Sequence, residues 1–275
     1  MKIAVTGYRG KLGSELIRQG CTPFLCDVVL PDSVEGAYDD VRPDVIINCA
    51  VFGGAGRVDD CEIKEKRAYN VNVHGIGNLR YFTPCKIIHV STSYVFDGKR
   101  GPYDERAKPN PIQAYGFTKL AGECLFQVEM NPGDAIVRTV GLYGGEKGDF
   151  AKQVVDTLLA GGEVRALKNL SFNPIYVPHL AEALIYIARM EAPPRLVHVA
   201  GEDVLSRYEF ALAVADAFHL ETGVITPVKQ VDQIVAPRPA KAGLKVGYAK
   251  KLGIPIYSVE AGLNAMREAM YAVSG

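Results

Sequence analysis

Lys2-Ile3-Ala4-Val5-Thr6-Gly7-Tyr8-Arg9-Gly10-Lys11-Leu12-Gly13 opens the chain and decides its fold. The run up to Thr6 is continuously apolar, the pattern of a central parallel strand buried on both faces. A helical pattern, Ser14-Glu15-Leu16-Ile17-Arg18, follows the third glycine. Strand, glycine turn and helix together give the Gly-x-x-Gly-x-x-Gly spacing a physical meaning. Gly7 lets the chain turn, Gly10 lets backbone approach a pyrophosphate, and Gly13 permits close helix–strand packing. An anion then rests on the exposed N–H groups of the helix start. The expectation is a dinucleotide held by Gly7, Tyr8, Arg9, Gly10, Lys11, Leu12 and Gly13.

The next segments extend that frame. Phe24 to Asp27 reads as a short second strand, with Asp27 placed to meet adenosine ribose hydroxyls. Asp27 lies 14 residues beyond Gly13, short of the usual interval of about 20. Arg9 and Lys11 offer charge to the additional phosphate of NADP, which is therefore favoured over NAD. Ser33 to Val41 reads as a short helix, and Asp44 to Ala50 as a buried strand. Its end, Cys49-Ala50-Val51, should pass under the cofactor, because ligands sit at the carboxyl ends of strands in such sheets. Asp59 to Leu79 is helical in character and contains Asn72, also expected at the cofactor.

Chemistry enters with three segments. Lys86 to Val90 forms a strand that runs into Ser91-Thr92-Ser93-Tyr94. About two dozen residues later comes Tyr115-Gly116-Phe117-Thr118-Lys119. A spacing of four stacks Tyr115 and Lys119 on one helix face. An ammonium beside a phenol favours the phenolate, so the Tyr115 pKa is expected to fall from about 10 towards neutrality. Such a tyrosine transfers a proton to or from a carbonyl oxygen while a hydroxyl of the Ser91-Thr92-Ser93 run hydrogen-bonds the same atom.

Composition sets the bounds. The chain has 275 residues, 48% of them hydrophobic and 23% charged, with formal net charge +0. Those values suit a globular α/β protein and argue against a nucleic-acid surface. No window approaches the roughly 18 apolar residues of a membrane span. Six cysteines without ligand spacing read as reduced, mostly buried thiols in a cytosolic protein, and no metal site is expected.

The residues quoted above, with Arg42-Pro43-Asp44-Val45-Ile46-Ile47-Asn48-Cys49-Ala50, Ser91-Thr92-x-Tyr94-Val95-Phe96-Asp97-Gly98, Val137-Arg138-Thr139, Leu205 to Ala211 and Pro237-Arg238-Pro239, carry a resemblance. The sequence resembles the extended short-chain dehydrogenase/reductases, and within them the dTDP-4-dehydrorhamnose reductase group. The resemblance implies a Rossmann-like doubly wound parallel sheet over residues 1–143. It also implies a smaller substrate lobe over 144–275, with segments around 173–200 returning to the sheet. It makes Thr92, Tyr115 and Lys119 a catalytic triad, with Tyr115 protonating the 4-keto oxygen of a nucleotide sugar and Lys119 holding the nicotinamide ribose. A homodimer is the expected assembly.

Departures from the group's pattern fall where the sugar would bind. Ser93 replaces an aspartate after the threonine, Gly141 replaces a tryptophan, and the segment containing Phe52 and Arg57 is altered. Arg238 is an expected diphosphate contact. Retained chemistry on a changed sugar is the simplest implication. The competing readings are a nucleotide-sugar epimerase on the same scaffold and a non-catalytic subunit resembling the β subunit of methionine adenosyltransferase. Dehydration is disfavoured, because Ser93 and Tyr94 stand where dehydratases carry Asp-Glu.

Overall fold

The computed structural model describes residues 1–53, 58–145, 148–229 and 235–272. The first half runs β1 (Ile3–Thr6), α1 (Lys11–Arg18), β2 (Thr22–Pro23), α2 (Pro31–Val41) and β3 (Val45–Asn48). It continues with α3 (Val58–Ile63), α4 (Glu65–Tyr69), a π-helical turn (Asn70–His74), α5 (Gly75–Phe82), β4 (Lys86–Thr92), α6 (Ala114–Glu129) and β5 (Ala135–Thr139). The second half comprises β6 (Leu142–Tyr143), α7 (Phe150–Leu159), β7 (Val164–Leu167), β8 (Ser171–Phe172), β9 (Ile175–Tyr176) and α8 (Val177–Arg189). After these come β10 (Leu196–His198), β11 (Leu205–Ser206), α9 (Arg207–Ala217), β12 (Ile225–Val228), α10 (Gly247–Lys251) and α11 (Val259–Ala272).

Six strands form one parallel sheet in the order β10-β5-β4-β3-β1-β2. The alternation of a strand's side chains decides what covers each face. Ile3, Val5, Val45, Ile47, Ile88 and Val137 point towards α1 and α8. Ala4, Ile46, Ile87 and Ile136 point the other way, onto Val34 and Ala37 of α2, Ile76 and Leu79 of α5, and Phe126 of α6. Both faces are thus apolar, which is why these strands read as unbroken hydrophobic runs. A separate cluster of α7, α9, α11, β7 and β12 packs around Phe210, Val214 and Leu263. β10 pairs in parallel with β5, so a segment from the second half completes the sheet.

Two expectations are corrected. The second strand is Thr22–Pro23, not Phe24–Asp27. Phe24 still donates its N–H to Val5, but the chain then leaves the sheet, and an edge strand tolerates the missing donor of Pro23. The helical region from Asp59 to Leu79 is interrupted at Lys64 and again by the π-helical turn at Asn70–His74.

α6 is fixed at its start and along its length. Its N-cap Gln113 makes no side-chain cap, and the Ala114 N–H is taken instead by the Glu62 carboxylate of α3 at 2.7 Å. That satisfies one orphan donor and places negative charge at the positive helix end. Further along, Glu123 meets Arg138 of β5 at 2.6 Å, with both side chains almost wholly buried. Ser91 of β4 donates a further hydrogen bond to Glu123. A buried pair of this kind registers helix against sheet, because removing either partner strands the other.

Candidate active site

β1 and β3 are neighbours while β2 and β4 lie on opposite sides of them, so the strand order reverses at the carboxyl end of β1. This switch point is where open α/β sheets bind ligands. Gly7 there has φ +62, and a Cβ on it would stand 2.7 Å from the Cys49 carbonyl oxygen. A side chain on Gly13 would overlap the Gly7 carbonyl and Tyr8 backbone. Only glycine fits either place. The N-cap of α1, Gly10, supplies no side-chain bond, and the first turn carries no acidic residue. Its N–H groups are therefore presented to an incoming anion, and the cradle fits a pyrophosphate.

The basic residues of the turn divide. Lys11 pairs with Asp149 at 2.6 Å, both side chains at most 10% exposed. Asp149 also caps α7 and accepts the Gly144 N–H, so the glycine turn is tied to the second half. The exposed Arg9 lies with its guanidinium 5.4 Å from the Tyr8 ring centroid. Asp27 turns back on its own loop, accepting the Val29 N–H at 3.0 Å.

At the end of β3, Cys49, Ala50 and Val51 are half-buried beside Gly7. Burial pushes the Cys49 thiol up to about 12, so it is no nucleophile. Asn72 is buried and joins two segments. Its oxygen accepts the Phe52 N–H at 3.1 Å and its amide donates to the Thr118 hydroxyl at 2.9 Å. It therefore ties Phe52 to α6.

Thr92 ends β4 with its oxygen accepting the Tyr94 N–H at 3.2 Å, leaving its own proton to donate. Its hydroxyl lies beside that of Tyr115, close enough to favour the phenolate. The close approach requires Gly116, where a Cβ would overlap the Tyr94 carbonyl. Lys119, one turn beyond Tyr115, is 2% exposed and donates to the Val90 carbonyl at 2.8 Å. The three residues expected as a triad are thus brought to one place, across β4 and α6.

Their electrostatics differ from the expectation. Burial drives the Tyr115 phenol up, to about 12, with the neighbouring Thr92 hydroxyl only partly opposing it. Burial likewise drives Lys119 down, to about 8. The ammonium faces Val90 and His89 rather than lowering the phenol, and desolvation dominates. The correction has a chemical meaning. Tyr115 keeps its proton at neutral pH and has it to give.

The residues expected at substrate are dispersed. Ser93 is wholly buried beneath the site. Its neighbour Tyr94 lines the site instead, edge-on to Tyr115 with ring centroids 6.0 Å apart. Gly141, at φ +41, makes room for the Phe172 ring, which any side chain there would strike. Arg238 is held by Asp59 at 2.8 Å and by the Ala236 carbonyl at 2.7 Å, an arrangement that pins its loop to α3. Phe52 is half-buried, and Arg57 lies outside the described residues.

Sequence reasoning missed His89, Asn48 and Thr6, which form a buried polar row behind Lys119. It also missed Asp149 and Arg207, an exposed residue whose guanidinium lies 4.6 Å from the Phe150 ring centroid. The only sequence signal was a polar residue inside each apolar strand.

Fold, switch point and glycine cradle define a dinucleotide-binding member of the extended short-chain dehydrogenase/reductases. Residues 1–272 match the RmlD substrate binding domain family, and the chain belongs to that family. It is 34% identical to a dTDP-4-dehydrorhamnose reductase of Mycobacterium tuberculosis, over 87% of this chain and 82% of that one. It is 31% identical to methionine adenosyltransferase 2 subunit beta of Rattus norvegicus, over 92% and 83%. A solved dTDP-4-dehydrorhamnose reductase from Bacillus anthracis, in complex with NADP, superposes with TM-score 0.89 at 28% identity, over 97% of this chain and 99% of that one.

Proposed function

We propose that this chain is an NADP-dependent reductase of a nucleotide-linked 4-keto-6-deoxy sugar. The observation that carries the reading is the juxtaposition of the Thr92 and Tyr115 hydroxyls, with Lys119 one turn along the same helix and the glycine cradle at the switch point. The similarity to sugar-nucleotide reductases supports it. Residues 144–275 then supply most of the substrate lobe, apart from the strand and helix that join the sheet.

The cradle of Gly7, Gly10 and Gly13 would hold the cofactor pyrophosphate, and Cys49 to Val51 would flank it. The bound nicotinamide supplies hydride. Tyr115, protonated at neutral pH, delivers its proton to the ketone oxygen as charge develops there. Thr92 donates a hydrogen bond that steadies the phenol oxygen once the proton has left. Lys119, one turn beyond Tyr115, would hold the nicotinamide ribose with the donors that the Val90 carbonyl leaves it.

Mixing the protein, NADPH and a dTDP-4-keto-6-deoxy sugar should give cofactor oxidation. Tyr115→Phe should lower turnover by about 10²- to 10⁴-fold. Turnover left unchanged by that substitution removes the mechanism. The similarity to methionine adenosyltransferase 2 subunit beta favours a second reading, a regulatory dinucleotide-binding subunit. Stable capture of a methionine adenosyltransferase catalytic subunit, without turnover of any keto sugar, would establish it instead.

A further inference from the structure

Thr6, Asn48 and His89 stand in register on three adjacent strands, Thr6 opposite Asn48 and Asn48 opposite His89. All three are buried, as is Lys119 at the end of the row. Thr6 Oγ1 donates to Asn48 Oδ1 at 2.6 Å, and the Ala50 backbone N–H donates to the same oxygen at 3.2 Å. Asn48 Nδ2 lies 3.0 Å from His89 Nδ1, and His89 Nε2 lies 3.3 Å from Lys119 Nζ.

The backbone amide settles the orientation. Ala50 N–H can only donate, and it is shared between Asn48 Oδ1 and Thr6 Oγ1, the latter at 3.3 Å; a flipped Asn48 would set its NH₂ against that N–H, so the Asn48 atom facing it is the oxygen. Asn48 therefore presents its NH₂ to His89, and Nδ1 must accept. A neutral imidazole with bare Nδ1 carries its proton on Nε2. That N–H points at Lys119 Nζ. A ring N–H and an ammonium cannot both donate along one line, and the contact becomes a hydrogen bond when Lys119 offers a lone pair.

We propose that the Thr6–Asn48–His89 row locks His89 as the Nε2–H tautomer, and that this N–H makes Lys119 a proton-exchanging amine rather than a permanent ammonium. His89 is then a positioning residue acting through Lys119, and this role rests on the reductase reading above. Other groups bear on the lysine as well. Glu123 along α6 and Cys49 at the end of β3 favour its charge, while burial opposes it. Glu123 is itself engaged by Arg138 and Ser91. His89 is held well below the usual imidazole range, by burial first and by Lys119 second. It stays neutral, as the tautomer requires.

Long-range ¹H–¹⁵N correlation spectra of the ¹⁵N-labelled full chain read histidine tautomers directly. The protein has five histidines, and the His89 signals are those lost in His89→Gln. The expected pattern is Nε2–H, unchanged down to about pH 5. An Nδ1–H pattern, or an imidazolium in that range, overturns the proposal. Asn48→Asp, which is isosteric, supplies the second test. Its carboxylate oxygen draws the proton to Nδ1 and bares Nε2 to accept from Lys119. The tautomer should invert, and the Lys119 ¹³Cε titration midpoint should rise by at least about one pH unit. The limb of the kcat profile that follows Lys119 should move the same way, with KM unchanged. A midpoint that stays in place refutes the link to Lys119. The tautomer is read without substrate, so its failure and that of the Tyr115→Phe test are separate observations.

Discussion

Replacing Lys119 by methionine should remove activity and stabilise the fold at the same time. The side chain is 2% exposed, and burial lowers its pKa from 10.5 to about 8. That depression corresponds to roughly 3 kcal/mol of penalty on the charged form. Methionine fills a similar volume without a charge, and leaves the Val90 carbonyl without this donor, which costs about 1–2 kcal/mol. The net expectation near pH 7 is a gain of roughly 1–2 kcal/mol. The sign with pH follows from proton binding. The folded wild type releases the Lys119 proton first, so between about pH 8 and pH 10.5 the unfolded chain binds more protons, and wild-type stability rises. The penalty is fully present below that window. The variant's advantage should therefore shrink by about 2 kcal/mol between pH 7 and roughly pH 9.5. Urea unfolding of both proteins at the two pH values measures this, and subtracting one protein from the other cancels the remaining titrations. A variant less stable than wild type near neutrality, or a gap that ignores pH, would show that Lys119 is not held against its charge.

Other perturbations read other parts of the structure. Glu123→Gln leaves the Arg138 guanidinium buried without its counter-charge and should lower stability by about 3–5 kcal/mol in denaturant unfolding. Gly13→Ala sets a methyl group against the Gly7 carbonyl, so the thermal shift that NADP gives the wild type should disappear. Ser206→Ala breaks a capping box with Glu209 at the start of α9 and should cost about 1 kcal/mol. Asn173 bridges the Gly201 and Leu244 carbonyls and the Leu244 N–H, and Asn173→Ala should cost at least about 2 kcal/mol by the same unfolding measurement.

Much of this was open to reading from residues. β1, β3 and β4 announce themselves because both faces of each strand meet apolar layers, so nothing polar interrupts the run for long. The glycine turn was legible because its spacing follows a strand and precedes a helix. Tyr115 and Lys119 pair by helix spacing with a hydroxyl at a strand end, and the family resemblance singles out Thr92 as that hydroxyl. What stayed hidden depends on neighbours remote in sequence. Nothing near Lys11 says that Asp149 neutralises it, and nothing near Arg238 says that Asp59 holds it. The Tyr115 pKa was misjudged because spacing shows proximity along a helix, while desolvation comes from the whole surrounding fold. Phe24 drew the second strand too far along, since burial alone resembles a strand.

The place of β10 and α8 bears on how the chain can be made and cut. α8 lays eight buried residues, Leu180 and Leu184 among them, over one face of a sheet begun nearly two hundred residues earlier in synthesis. A ribosome that has released only the first 143 residues has delivered five of the six strands and left that face covered by α1 alone. A fragment ending at Tyr143 should accordingly be insoluble, and nucleotide binding should emerge only once His198 has joined the edge of β5.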